Sequence, residues 1–216
     1  MLLERIKTLI VVSLGVTTLA TIGCTKQNVQ AEQNSTLQAE TPTLVSTETP
    51  KADVPYVPTA EEVVEKMLEM AKVSNKDIVY DLGSGDGRIP ITAVKKYQAL
   101  KATGVEINPD LVKKSQENAK KAGVSDRVEF LQQDLFKTNF SDATVVTLYL
   151  LPEVNLRLRP KLLTELKPGT RIVSHAFDMG DWEPERVEQV KDKNGRSYTL
   201  YQWTVPEKVP ANLLSN

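Results

Sequence analysis

A chain of 216 residues, 40% hydrophobic and 25% charged, has the composition of an ordinary globular protein and suits a single α/β domain. A net charge of −1 gives no bulk positive field, which argues against nucleic acid as a partner; the Lys113-Lys114 and Lys120-Lys121 pairs read as solvated helix faces. One cysteine and one histidine exclude an internal disulfide and a zinc ligand set.

In chain order, Arg5 and Lys7 precede an uncharged, mostly apolar stretch from Leu9 to Gly23. That is the layout of a secretory signal, and it is short for a membrane span of about 20 residues. Thr21-Ile22-Gly23-Cys24 resembles a bacterial lipobox, with Thr21 where an aliphatic residue is usual. Residues 1–24 are therefore expected to be a signal peptide or membrane anchor, either lipidated at Cys24 or left as an uncleaved anchor. Residues 25–54 are rich in Thr, Gln, Glu, Ser and Ala and hold no aromatic residue. They cannot bury enough apolar surface to fold alone and read as a flexible linker reaching roughly 30 Å.

The globular domain is expected over residues 55–206, with 207–216 a loose tail. Thr59 reads as the cap of a first helix, with Glu62 as its capping-box partner and Met67, Leu68, Met70 and Ala71 on the apolar side. Strands are predicted near 77–82, 102–107, 127–132, 143–150 and 170–175. Helices are predicted near 88–99, 109–122 and 153–166. This alternation implies a mostly parallel sheet with right-handed crossovers. Runs 187–191 and 197–205 around Asn194-Gly195 read as a hairpin.

The richest segment runs from Val79 to Ile89. A buried strand ends in Asp81 and passes through Gly83, Gly85 and Gly87 into a helix, so the backbone can bend sharply and a ligand can approach closely. The spacing is G-x-G-x-G, whereas the dinucleotide fingerprint is G-x-G-x-x-G. A carboxylate at Asp81 repels a pyrophosphate and suits a cationic ligand, which favours S-adenosyl-L-methionine (SAM) over NAD. Glu106, ending the second strand, is placed to accept from ribose hydroxyls, and Asp134, after the third, from an adenine amino group. Ligands bind outside the carboxyl ends of such strands, so three acids on consecutive βα units point to one site.

Asp81 to Arg88, Gly104-Val105-Glu106-Ile107-Asn108-Pro109 and the Asp134 strand together resemble the successive motifs of class I SAM-dependent methyltransferases. Pro55-Tyr56-Val57-Pro58-Thr59, Leu148-Tyr149-Leu150-Leu151-Pro152-Glu153 and Gly169-Thr170-Arg171-Ile172-Val173-Ser174 narrow the resemblance. They look like the protein-lysine methyltransferases of the mitochondrial adenine nucleotide translocase and ATP synthase c subunit. The resemblance implies a Rossmann-like seven-stranded sheet closed by an antiparallel hairpin. It also implies that Asp81, Gly83, Gly85 and Gly87 hold the methionine part of SAM, with Glu106 on the ribose, Asp134 near the adenine, and Asn108 and Gln133 as second contacts. Pro90 departs from the family's usual aliphatic residue, at a first-turn position where a missing N–H costs little.

The end of the fourth strand is where such enzymes place acceptor contacts. Tyr149 is a candidate to orient an amine, and Glu153 is a second candidate or simply a helix-terminal acid. His175, Asp178, Asp181 and Trp182 lie near the same edge. The sequence thus predicts a membrane-tethered SAM-dependent methyltransferase acting on protein lysine. Alternatives are a SAM-binding scaffold, a small-molecule or nucleic-acid methyltransferase and a dinucleotide-dependent oxidoreductase. Export of the domain would separate it from SAM, a cytosolic metabolite, so the side of the membrane stays open.

Overall fold

Short β-branched runs and amphipathic segments alternate as predicted, and they build one sheet between two helical layers. The structure, a computed structural model, describes residues 55–215. The expected signal segment, the linker and Cys24 lie outside the described residues. The elements are α1 (Glu61–Met70), β1 (Ile78–Leu82), α2 (Arg88–Lys95), β2 (Lys101–Glu106), α3 (Pro109–Ala122), β3 (Val128–Gln132), β4 (Val145–Leu148), α4 (Pro152–Glu165), β5 (Arg171–His175), β6 (Arg186–Lys191) and β7 (Ser197–Thr204). A 3₁₀ turn, Ala211–Leu213, follows.

The strand order is β3-β2-β1-β4-β5-β7-β6. The pairs from β3 to β5 are parallel, whereas β7 runs antiparallel to both β5 and β6. Chain progression reverses between β1 and β4, the switch point where a crevice opens beyond the strands' carboxyl ends. One apolar layer includes Val63, Met67 and Leu68 of α1 with Ala93 and Val94 of α2. The other includes Leu158 and Leu162 of α4 packed with Leu148, Ile172 and Trp203. Both faces of the central strands are covered, so β4 is buried at every residue and β1 at all but its first, Asp81 and Thr147 included.

Local sequence explains most boundaries. Asn108 caps α3, its Oδ1 accepting from Asp110 N at 2.9 Å and Leu111 N at 3.4 Å; Pro109 starts the helix and Gly123 ends it at φ 71°. Pro90 is buried in the first turn of α2.

Three expectations differ from the structure. Helix α2 stops at Lys95, because Gln98 turns the chain at φ 60°. Thr59 does not cap α1: Ala60 holds the cap position with no side-chain bond, and the Thr59 hydroxyl goes instead to His175. The segment after Pro206 is pinned and not loose, since Leu213 is buried and Arg159 of α4 donates to the carbonyls of Leu213 and Ser215. Among the described residues no helix is long and apolar enough to cross a membrane.

Candidate active site

A cavity of about 340 Å³ opens at the carboxyl ends of β1 to β4. Its lining brings together Asp81, Gly83, Gly85, Glu106, Asn108, Gln133, Asp134 and Tyr149. Gly87 and Glu153 are not among the lining residues. Glu153 is exposed in the first turn of α4, and Gly87 is buried at the start of α2.

Asp81 ends β1 almost fully buried, and Thr147 Oγ1 donates to one carboxylate oxygen at 2.7 Å. Burial pushes this carboxyl up to about 7, the nearby charges of Glu106 and Asp86 push the same way, and the Thr147 hydrogen bond opposes them. An acid this costly to ionise awaits a cation. Glu106 is held differently: Oε2 accepts from Gly85 N, and Oε1 from Ile107 N and Asn108 N, each at 2.9 Å. Three N–H donors fix this carboxylate, so it faces the cavity with its geometry set before any ligand arrives. The glycine loop spends its own donors internally as well, Gly83 N and Ser84 N on Val105 O and Gly87 N on Ser84 O. A loop whose amides are already paired and backed by carboxylates is no phosphate cradle, unlike the dinucleotide motif.

The third strand end is more exposed. Asp134 Oδ1 accepts from Phe136 N at 2.9 Å, and Gln133 Oε1 accepts from Thr138 Oγ1 at 3.1 Å. Leu111, Leu135, Phe136, Leu150 and Val154 give this end of the cavity apolar walls.

Sequence reasoning did not assign the cavity's outer wall. Pro55 to Thr59 line it, with the Tyr56 ring lying against Gly85, where an added Cβ would come within 2.5 Å of the ring. Arg88 ties this segment down by donating to Thr59 O at 2.7 Å and pairing with Asp86 at 2.7 Å. Burial and the Asp86 charge hold the Tyr56 phenol above its usual range. Tyr149 lies just past β4, its ring on that of His175 at a centroid separation of 3.9 Å. Asn155, fully buried in α4, donates to Phe177 O and Asp178 O and so fixes the start of the loop that follows β5.

The chemistry of this donor set fits SAM. The buried acid suits the cationic methionine part, the fixed carboxylate on β2 suits hydroxyls, and the apolar end suits a base. A mixed seven-stranded sheet carrying such a site at its switch point defines a SAM-dependent methyltransferase of class I. Residues 81–186 match the ANTKMT methyltransferase domain. A protein-lysine N-methyltransferase of Saccharolobus islandicus (strain REY15A) is 51% identical over 154 residues, 71% of this chain and 95% of that protein. The adenine nucleotide translocase lysine N-methyltransferase of Mus musculus is 37% identical over 63% of this chain and 59% of its own length. A crystal structure described as an RNA methyltransferase from Salinibacter ruber in complex with S-adenosyl-L-homocysteine shares 57% identity, with a TM-score of 0.67 over 73% of this chain and 99% of that one. The chain belongs to the ANTKMT methyltransferase family, and SAM is its cofactor.

Proposed function

We propose that this protein is a SAM-dependent methyltransferase that N-methylates a protein lysine, tethered to a membrane by residues 1–24. The observation that carries the reaction is the buried Asp81 carboxyl beside the fixed Glu106 carboxylate at the switch-point cavity. The lysine acceptor is supported by 51% identity to a protein named for that activity, along 95% of its length.

SAM when bound supplies an activated methyl group. Asp81 and the loop of Gly83 and Gly85 would hold its methionine part, Glu106 and Asn108 its ribose, and Gln133 and Asp134 its adenine side. Tyr149, at the cavity's β4 end, orients the acceptor amine through its hydroxyl. Burial raises that phenol above its ordinary range, so it works as a neutral hydroxyl and not as a tyrosinate base. The amine's proton therefore leaves to water. Glu153, outside the lining, has no such path and serves the N-terminal end of α4. The wall of Pro55 to Thr59 excludes water on the outer side.

The description of the Salinibacter ruber structure as an RNA methyltransferase favours RNA as a second acceptor reading. A sequence pI of about 6.0 opposes it, because a nucleic-acid site needs a basic face. Labelled SAM, offered with membrane proteins and with total RNA, separates the two. Lysine-borne label is the expected result. Label on RNA alone, or retained S-adenosylhomocysteine binding with no transfer to either, overturns the lysine reading.

Affinity for SAM should fall with acid. Asp81 must lose its proton to meet a cation, so below a pH of about 7 each unit should weaken binding up to about tenfold. Calorimetry at stepped pH measures this, and Asp81→Asn should flatten the dependence while weakening binding throughout. The tether is checked by fractionation: wild type should be in the membrane fraction, and full recovery in the soluble fraction removes that part of the proposal. Protease treatment of intact cells then shows which side the domain occupies.

A further inference from the structure

His175 closes β5 with 1% of its surface exposed, and only one of its ring nitrogens is satisfied. Nδ1 lies 3.2 Å from Thr59 Oγ1, while Nε2 is buried without a hydrogen-bond partner. Leaving such a nitrogen unpaired is unfavourable, so satisfaction of the imidazole does not explain why it is there. Its ring contacts do. The Tyr149 ring lies over it, 3.9 Å between centroids and tilted by 30°, and Tyr198 of β7 meets its edge at 5.2 Å and 68°. The next residue, Ala176, adopts φ 70°, a left-handed conformation unfavourable to alanine, and is held there by its N–H to Thr199 O at 2.8 Å. Strain of this kind collects where a side chain must be aimed. Thr59 in turn belongs to the outer wall of the cavity, and its carbonyl accepts from Arg88 at the start of α2.

We propose that His175 is a positioning residue for the acceptor site: clamped by Thr59, its ring backs Tyr149 and holds the phenol hydroxyl toward the acceptor side of the cavity. Phenylalanine would supply the stacked face without the clamp, and asparagine the clamp without the face; histidine supplies both. Burial holds the imidazole down to about 4, so it stays uncharged and adds no repulsion beside a cavity that receives a sulfonium and an amine. The Thr59 bond also makes the outer wall and the acceptor wall one mechanical unit.

The inference rests on the reading of Tyr149 as the acceptor-side residue, so its test includes a readout that needs no acceptor. The full chain, carrying ¹³C-labelled tyrosine and saturated with S-adenosylhomocysteine, is followed by NMR, with Tyr149→Phe assigning the Tyr149 signal. Thr59→Val, close in shape and leaving the imidazole in place, should shift and broaden that signal in the saturated complex, where a change in S-adenosylhomocysteine affinity leaves the occupancy the same. In transfer to poly-L-lysine, His175→Phe should lower kcat about tenfold or more with KM little changed, the signature of lost alignment. The double variant His175→Phe/Tyr149→Phe should be no slower than Tyr149→Phe alone, since the two act as a unit. An unmoved Tyr149 signal in Thr59→Val, or losses that add in the double variant, overturns the proposal. If wild type transfers nothing to poly-L-lysine, the lysine reading fails and the Tyr149 signal alone decides the role of His175.

Discussion

Gly83, Gly85 and Gly87 share left-handed backbones at φ 82°, 53° and 80°, yet their surroundings assign them different work. A Cβ on Gly87 would run into the Phe130 ring and lie 2.8 Å from Ser115 Cβ, wedging the start of α2 away from β3 and α3. A Cβ on Gly85 would meet only the ring of Tyr56, a residue 42% exposed, so relief disturbs the phenol's contacts with Asp86 and Arg88 and not the core. Gly87→Ala should therefore destabilise the fold by about 2–4 kcal/mol through overpacking plus backbone strain. Gly85→Ala should cost only about 1 kcal/mol of strain and instead weaken S-adenosylhomocysteine binding about tenfold or more. Urea unfolding and calorimetry on the two variants check this, and a reversed pattern would refute the division. The sequence predicts all three glycines as one ligand turn, because spacing reports backbone shape but not which distant ring fills the space above each Cα. The acids were legible for the opposite reason. Parallel βα units put the carboxyl ends of β1, β2 and β3 on one edge, so Asp81, Glu106 and Asp134 converge whatever the packing.

Helix α4 does more than cover the sheet. Arg159, 4% exposed, donates from Nη1 to Met179 O at 2.9 Å, from Nε to Leu213 O at 3.1 Å and from Nη2 to Ser215 O at 2.7 Å. One guanidinium thus joins the helix, the loop after β5 and the C-terminal segment. Arg159→Leu would strand three carbonyls and should cost about 2–4 kcal/mol. It should also expose the segment beyond Pro206 to limited proteolysis well before global unfolding. Arg159→Lys should rescue little, because a compact ammonium cannot span the same three acceptors. Undiminished protease resistance in both variants would show that the segment is held by Leu213 burial alone. Strand and helix positions were readable from periodicity and from Asn108-Pro109 and Gly123. The pinned tail was not, because nothing local to residues 207–216 advertises a buried arginine on α4. Thr59 failed as a predicted cap for the same reason: its hydroxyl had a choice between a neighbouring amide and an imidazole 116 positions away.

Two buried groups oppose one another as pH changes. Folding moves the Asp81 carboxyl from about 3.9 up to about 7 and the His175 imidazole from about 6.5 down to about 4. Between pH of about 4 and 7 the folded chain holds a proton on Asp81 that the unfolded chain has released. Through Asp81, stability therefore falls as pH rises, by up to about 1.4 kcal/mol per unit. Between about 4 and 6.5 the unfolded chain holds a proton on His175 that the folded chain lacks, so through His175 stability rises with pH at up to the same slope. Asp77 and Asp86, whose carboxyls burial pushes up but hydrogen-bond donors and the charges of Arg171 and Arg88 together hold below their usual range, titrate beneath this window. The cofactor-free protein should thus show a nearly flat urea midpoint from pH of about 4.5 to 6.5. Asp81→Asn should uncover the rising limb of His175, and His175→Phe the falling limb of Asp81. Adding SAM to wild type should reproduce the Asp81→Asn profile, since a bound cation keeps that carboxylate ionised and removes its proton uptake. Flat profiles in both variants would mean that neither group is as deeply desolvated as its burial implies.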